Sequence, residues 1–212
     1  MTCRGAQPRS GGPFLPAARQ RSVGMSKPVP IAGRAGTSII LAVTGIARAA
    51  RRGPRRPGWP QGDAKSCRCR LSIWHDLNGL IGAAPRRLYE NLFAAASATL
   101  TEFAGSPRHL GGMPAFSLVL HTWKQDLGRH VHVHALVAGG ALSDTGEWIN
   151  PKRGFLFPVR ALSKVFRGKF VVGLDALRRQ GHLPDFLDPS AWQGLKQALY
   201  AHDWVVFAKQ PL

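Results

Sequence analysis

The sequence predicts an α+β domain, an antiparallel sheet flanked by helices, on three observations. Apolar residues recur at helical spacing over 85–105 and again over 158–181. Between these segments, AFSLVLHTW at 115–123 and HVHVHALVAGG at 130–140 read as two strands. No internal repeat is evident and βαβ signals are few, which argues against a parallel α/β fold.

The elements follow in chain order. In PRRLYENLFAAASATLTEFAG, 85–105, Leu88, Leu92, Phe93, Leu100 and Phe103 form the buried stripe of a helix. Pro85 suits its first turn and Gly105 its end. The strand 115–123 connects through KQDLGR to the histidine run, a hairpin with a loop of about six residues. GGALSDTGEWI reads as a turn, a polar loop and a short strand. GFLFP then leads into a helix over 158–181, with Val159, Leu162, Val165, Phe166 and Phe170 as its apolar stripe. A helix at 189–201 and a strand, DWVVFAK at 203–209, complete the pattern.

Three of the eight histidines fall in HVHVH, 130–134. Side chains alternate along a strand, so His130, His132 and His134 share one face, while Val131, Val133 and Ala135 share the other. Three imidazoles in register bind a metal, do acid–base or nucleophilic work, or only find hydrogen-bond partners. Crowded imidazoles titrate near neutrality and repel when charged, which favours chemistry over a purely structural role. His121, on the partner strand, is placed to face them, and the loop carries Gln125 and Asp126.

Charge divides the chain. The formal net charge is +18, and residues 1–70 hold fourteen Lys and Arg against one acidic residue, Asp63. The other 142 residues hold fifteen against ten. The basic segment, rich in Arg, Gly, Pro and Ala, is too poor in apolar surface to offset chain entropy. Residues 1–75 are therefore expected to be a disordered basic arm, a transit segment, or a translation of GC-rich DNA in a wrong frame. The ordered domain is expected over 76–212. TSIILAVTGIA, 37–47, is about half the roughly 20 residues a membrane span needs. All three cysteines, Cys3, Cys67 and Cys69, lie in the basic segment without metal-knuckle spacing, and a reducing cytoplasm is the expected setting. On the helix 158–181, Arg160, Lys164 and Arg167 recur as a basic ridge, either a phosphate-neutralising surface or a solvated face.

Two families resemble these residues. His130-Val-His132-Val-His134-Ala-Leu is similar to the motif of the histidine-triad nucleotide hydrolases, metal-free enzymes in which His132 would be the nucleophile. A broader resemblance covers about 76–212. LYENLFAAASATL, LHTW, HVHVHALVAGGALS, Trp148, RGFLFPVRALSKVFRGKF and DWVVFAK appear in order, as in the two-tyrosine HUH rolling-circle transposases of insertion sequences. That resemblance implies a histidine strand holding Mg2+ or Mn2+, a tyrosine that attacks single-stranded DNA, and single-stranded or hairpin element ends as partners. Its metal ligands would be His132 and His134, with His130, His121 or Gln125 completing the shell. Arg153, Arg160, Lys164, Arg167 and Lys169 would contact DNA.

The family's Tyr-x-x-x-Tyr helix follows the DWVVFAK strand, where this sequence ends, and its zinc-binding cysteine cluster is absent. Tyr89 and Tyr200 are the two tyrosines present. The expectation is thus an incomplete HUH domain without its nucleophile, inactive in nicking. The histidine-triad hydrolase and a non-enzymatic DNA-binding remnant stand as alternatives.

Overall fold

The computed structural model describes residues 40–43, 66–73, 75–123, 129–151, 157–184 and 187–208. Most of the basic segment lies outside them, as do Gln125, Asp126 and Arg153. Two pieces of that segment are strands, β1 (Ile40–Val43) and β2 (Ser66–Ser72). A 3-10 turn (His75–Leu77) and a short helix α1 (Asn78–Ala83) lead into α2 (Pro85–Gly105). Then come β3 (Met113–Trp123), β4 (Arg129–Leu142), β5 (Trp148–Ile149), α3 (Val159–Arg179), α4 (Pro189–Ala201) and β6 (Val206–Ala208).

The chain forms an antiparallel sheet with helices, the α+β class expected. Strand order among the described residues is β1-β3-β4-β2-β6, with β5 paired to the far end of β4. The histidine strand is therefore central. β3 flanks it on one side, with Val119 opposite His134 and His121 opposite His132. On its other side β2 runs from Ser66 opposite Ala138 to Ser72 opposite His132. This strand precedes the expected boundary between 75 and 76, so the folded unit reaches back at least to Ser66. Its alternation was hidden by composition. Cys67, Cys69 and Leu71 are buried, while Arg68 and Arg70 are exposed.

One hydrophobic core joins the sheet to the helices. Val131, Val133, Ala135 and Val137 of β4, with Leu118 and Leu120 of β3, meet Leu88, Leu92 and Leu100 of α2 and Leu162, Phe166 and Phe170 of α3. Helices thus cover one sheet face, and the histidines, one residue out of phase, point to the other. The Asn91 amide donates to the Phe170 carbonyl at 2.9 Å where α2 crosses α3, over Gly173, which has no Cβ to collide with it. Trp204, ahead of β6, packs on Phe166 and Phe170 with ring centroids 5.5 and 5.2 Å away. Asp188 caps α4 by accepting from the Ala191 N–H at 2.8 Å. No described helix is long and apolar enough to cross a membrane.

Gly140 shows where β4 tolerates no side chain. A Cβ there would stand 2.5 Å from the Ile149 carbonyl oxygen and 2.6 Å from the Trp148 ring. Gly140→Ala is expected to push β5 off β4 and cost about 1–3 kcal/mol in urea unfolding. Gly79→Ala, on α1 with nothing within 4 Å, is the control and should be neutral or mildly stabilising.

Candidate metal centre

The site is built on cross-strand register. Period two puts His130, His132 and His134 on one face of β4, and pairing with β3 puts His121 directly across from His132. The structure brings together His121, His132 and His134, whose candidate ligand nitrogens all lie within 4.8 Å of one another. The His121 and His134 rings are 4.3 Å apart between centroids, and His121 and His132 are 5.4 Å apart. His130 shares the face but stays outside the trio, its ring 5.0 Å from that of His132.

Hydrogen bonding orients the central ring. His132 Nδ1 lies 3.0 Å from the His130 carbonyl oxygen. A carbonyl only accepts, so Nδ1 carries the proton and Nε2 keeps its lone pair in the neutral ring. That Nε2 is 3.0 Å from His134 Nε2. His132 is 6% exposed, His134 half-buried and His121 open to solvent. Burial, reinforced by the neighbouring imidazoles, pushes the His132 pKa down to about 4, against the opposing pull of the His130 carbonyl. His134 is also lowered, by burial first and then by His121 and the charge of Arg70. Burial thus favours the neutral form of His132 and His134, the protonation state metal ligation needs.

Two features of the site suit a cation. Three imidazoles converge from two strands, a nitrogen donor set typical of divalent transition metals. Ser72, opposite His132 on β2 and 4% exposed, has a buried hydroxyl with no hydrogen-bond partner among the described residues. A polar atom left unpaired beside a ligand cluster fits a site that gains a guest.

The other expected residues scatter. Arg160 and Lys164 are exposed on α3. Arg167 instead donates to the Tyr200 and His202 carbonyls at 2.9 and 2.7 Å, and Lys169 pairs with Glu102 at 2.7 Å. Both cations therefore have structural partners on the helix side of the sheet. Tyr89 packs partly buried against the core, its pKa raised by burial. Tyr200 is 48% exposed on α4, with the Arg167 guanidinium 5.5 Å from its ring centre. Neither tyrosine belongs to the histidine group. Sequence reasoning missed Arg68, Arg70 and Ser72 on the histidine face of β2. The alternation in CRCRLS was the signal that could have found them.

Part of the chain is similar in sequence to known proteins. Residues 115–212 match the family described as "Putative transposase". The chain is 42% identical over 131 residues to "Putative transposase y4qJ" of Sinorhizobium fredii (strain NBRC 101917 / NGR234). That alignment covers 58% of this chain and 33% of the relative, so the chain spans about a third of that protein. Among solved structures, the conjugative relaxase TrwC with mutant oriT DNA superposes with a TM-score of 0.43 at 16% identity. It covers 51% of this chain and 44% of that one. A metal-bound TrwC complex with oriT DNA gives 0.41 at 15% identity, covering 51% and 42%. Most of β3, the histidine strand and helices α3 and α4 lie inside residues 115–212, the stretch that is similar to that family.

Proposed function

We propose that this chain carries the metal-binding half of a transposase centre that nicks and rejoins single-stranded DNA, with His121, His132 and His134 as its ligands. The convergence of the three imidazoles across β3 and β4 carries the reading, and the similarity to the putative transposase family supports DNA as the substrate. A divalent ion bound there would polarise a phosphoryl oxygen and stabilise the charge that grows on it during displacement. His132, fixed by the His130 carbonyl, supplies the most rigid ligand, and His134 and His121 close the set from the more open side. With nitrogen donors, Mn2+ is the better fit of the two expected ions and Mg2+ the weaker. Arg68 and Arg70, exposed on the same face, would meet the DNA backbone, with Arg160 and Lys164 farther away on α3.

The covalent step in this reading needs a tyrosine oxygen in line with phosphorus, displacing the 3′-oxygen of the neighbouring nucleotide. Tyr89 packs partly buried against the core and Tyr200 lies against Arg167, so this chain alone is proposed to bind DNA without attacking it. The test is incubation with 5′- and 3′-labelled single-stranded DNA and Mn2+, followed by a denaturing gel. Metal-dependent binding without a protein–DNA adduct is expected. A band that survives denaturation and disappears in Tyr200→Phe or Tyr89→Phe would overturn the proposed inactivity. Turnover of a nucleoside phosphoramidate in excess chelator would overturn the metal reading itself.

A further inference from the structure

We propose that Ser72 and Arg70 of β2 form, beside the histidine trio, a clamp for one backbone phosphate of the bound strand. The inference rests on the trio being a metal centre for DNA, and it names groups that would hold the reacting phosphate.

Sheet geometry places both side chains. The Ile73 N–H donates to the Val131 carbonyl at 3.3 Å, which makes 73 and 131 a hydrogen-bonded pair. Bonded and non-bonded pairs alternate in antiparallel strands, so Ser72 with His132 and Arg70 with His134 are non-bonded pairs. Side chains approach most closely at such pairs. The Ser72 N–H turns the other way, to the Val205 carbonyl at 3.0 Å. Burial of Cys67, Cys69 and Leu71 on the core face leaves Arg68, Arg70 and Ser72 on the histidine face.

The chemistry then points to an anion. His132 already uses Nδ1 on the His130 carbonyl and directs Nε2 at His134, so Ser72 is not needed to orient it. Yet the Ser72 hydroxyl is buried and unpaired among the described residues, a cost that a bound acceptor would remove. Arg70 presents the complementary problem. A guanidinium paired across the strands with a metal ligand repels the cation the site is built to hold, unless an anion lies between them. A phosphodiester oxygen satisfies both, accepting from Ser72 and Arg70 while facing the cation. On its far side Arg70 is opposite Phe207, which is 54% exposed and offers a ring for a base to stack on. That neighbour favours a nucleic-acid phosphate over free phosphate.

The test uses the full chain, a fluorescent single-stranded oligonucleotide followed by anisotropy, and free Mn2+ followed by its spin-resonance signal. Wild type should bind the oligonucleotide more tightly with Mn2+ than with EDTA. Linkage requires the oligonucleotide to tighten Mn2+ by the same factor. In the absence of DNA, Ser72→Ala should keep Mn2+ affinity within about twofold, and Arg70→Gln should keep or modestly raise it, because a repelling charge is removed. They should lose about 10-fold and about 10- to 100-fold of metal-dependent DNA affinity. Arg68→Gln, opposite Leu136 rather than a histidine, should weaken binding equally with and without Mn2+. Arg70 is exposed, so its variant reports even if Ser72→Ala disturbs folding. Variants that retain the full Mn2+-dependent gain overturn the clamp and leave the metal centre standing. A wild type with no such gain overturns both. Inorganic phosphate tightening Mn2+ as strongly as the oligonucleotide would overturn the assignment to a DNA backbone.

Discussion

His132→Ala is expected to weaken Mn2+ binding more than about 100-fold. Loss of a residue that merely supports a metal ligand costs roughly 10–100-fold, and this substitution removes a proposed ligand itself, the most buried of the three. The informative contrast is His130→Ala. His130 serves His132 through its backbone carbonyl, which alanine retains, and its ring lies outside the converging trio. Its loss should change Mn2+ affinity by only a few-fold. Calorimetric titration of the two variants decides between them. Equal losses would mean that the ligands run along β4 rather than across from β4 to β3.

The metal-free chain should lose stability as the pH falls from about 6.5 toward 4. In the unfolded chain His132 takes its proton near its ordinary value of 6.5, while in the fold burial holds it near 4. Between those values the unfolded state binds more protons, so each step down in pH favours unfolding. Stability is fully present above 6.5 and has lost this contribution by pH 4. At about 1.4 kcal/mol per unit, the loss is of order 3 kcal/mol, and His134, shifted the same way, adds to it. Urea unfolding in EDTA between pH 7 and 4.5 measures the slope. His132→Asn should flatten it, whereas an unchanged slope would assign the effect to other groups. Saturating Mn2+ should steepen it in wild type, because the ion binds only deprotonated imidazoles.

Where local pattern and fold agree, the sequence was legible. Pro85 and Gly105 bracket α2 at the residues where it begins and ends, because a proline pre-set for a first turn and a closing glycine are local signals. α4 is also found where expected, at 189–201. Period two correctly put His130, His132 and His134 on one face. It could not say which histidines would meet, because that depends on which residue of the neighbouring strand lies opposite. Register decided it, drawing in His121. The basic ridge on α3 was visible as spacing, but spacing does not show that Arg167 serves the C-terminal end of α4 or that Lys169 serves Glu102. β2 was missed for a compositional reason. Its alternating Cys-Arg-Cys-Arg-Leu is a strand pattern, but amid arginines and prolines the window average resembled an unfolded arm.

β2 also serves as a seal. It covers seven residues of β4 on one side and holds β6 on the other. A protein begun at residue 76, where composition first looks ordinary, would keep every histidine of the site and lose that cover. The bared rim of β4 would then be a long, β-branched, hydrogen-bonding template in the middle of the domain, open to a second molecule. Such a product would tend toward insoluble fibres, and its failure to bind metal would say nothing about the histidines.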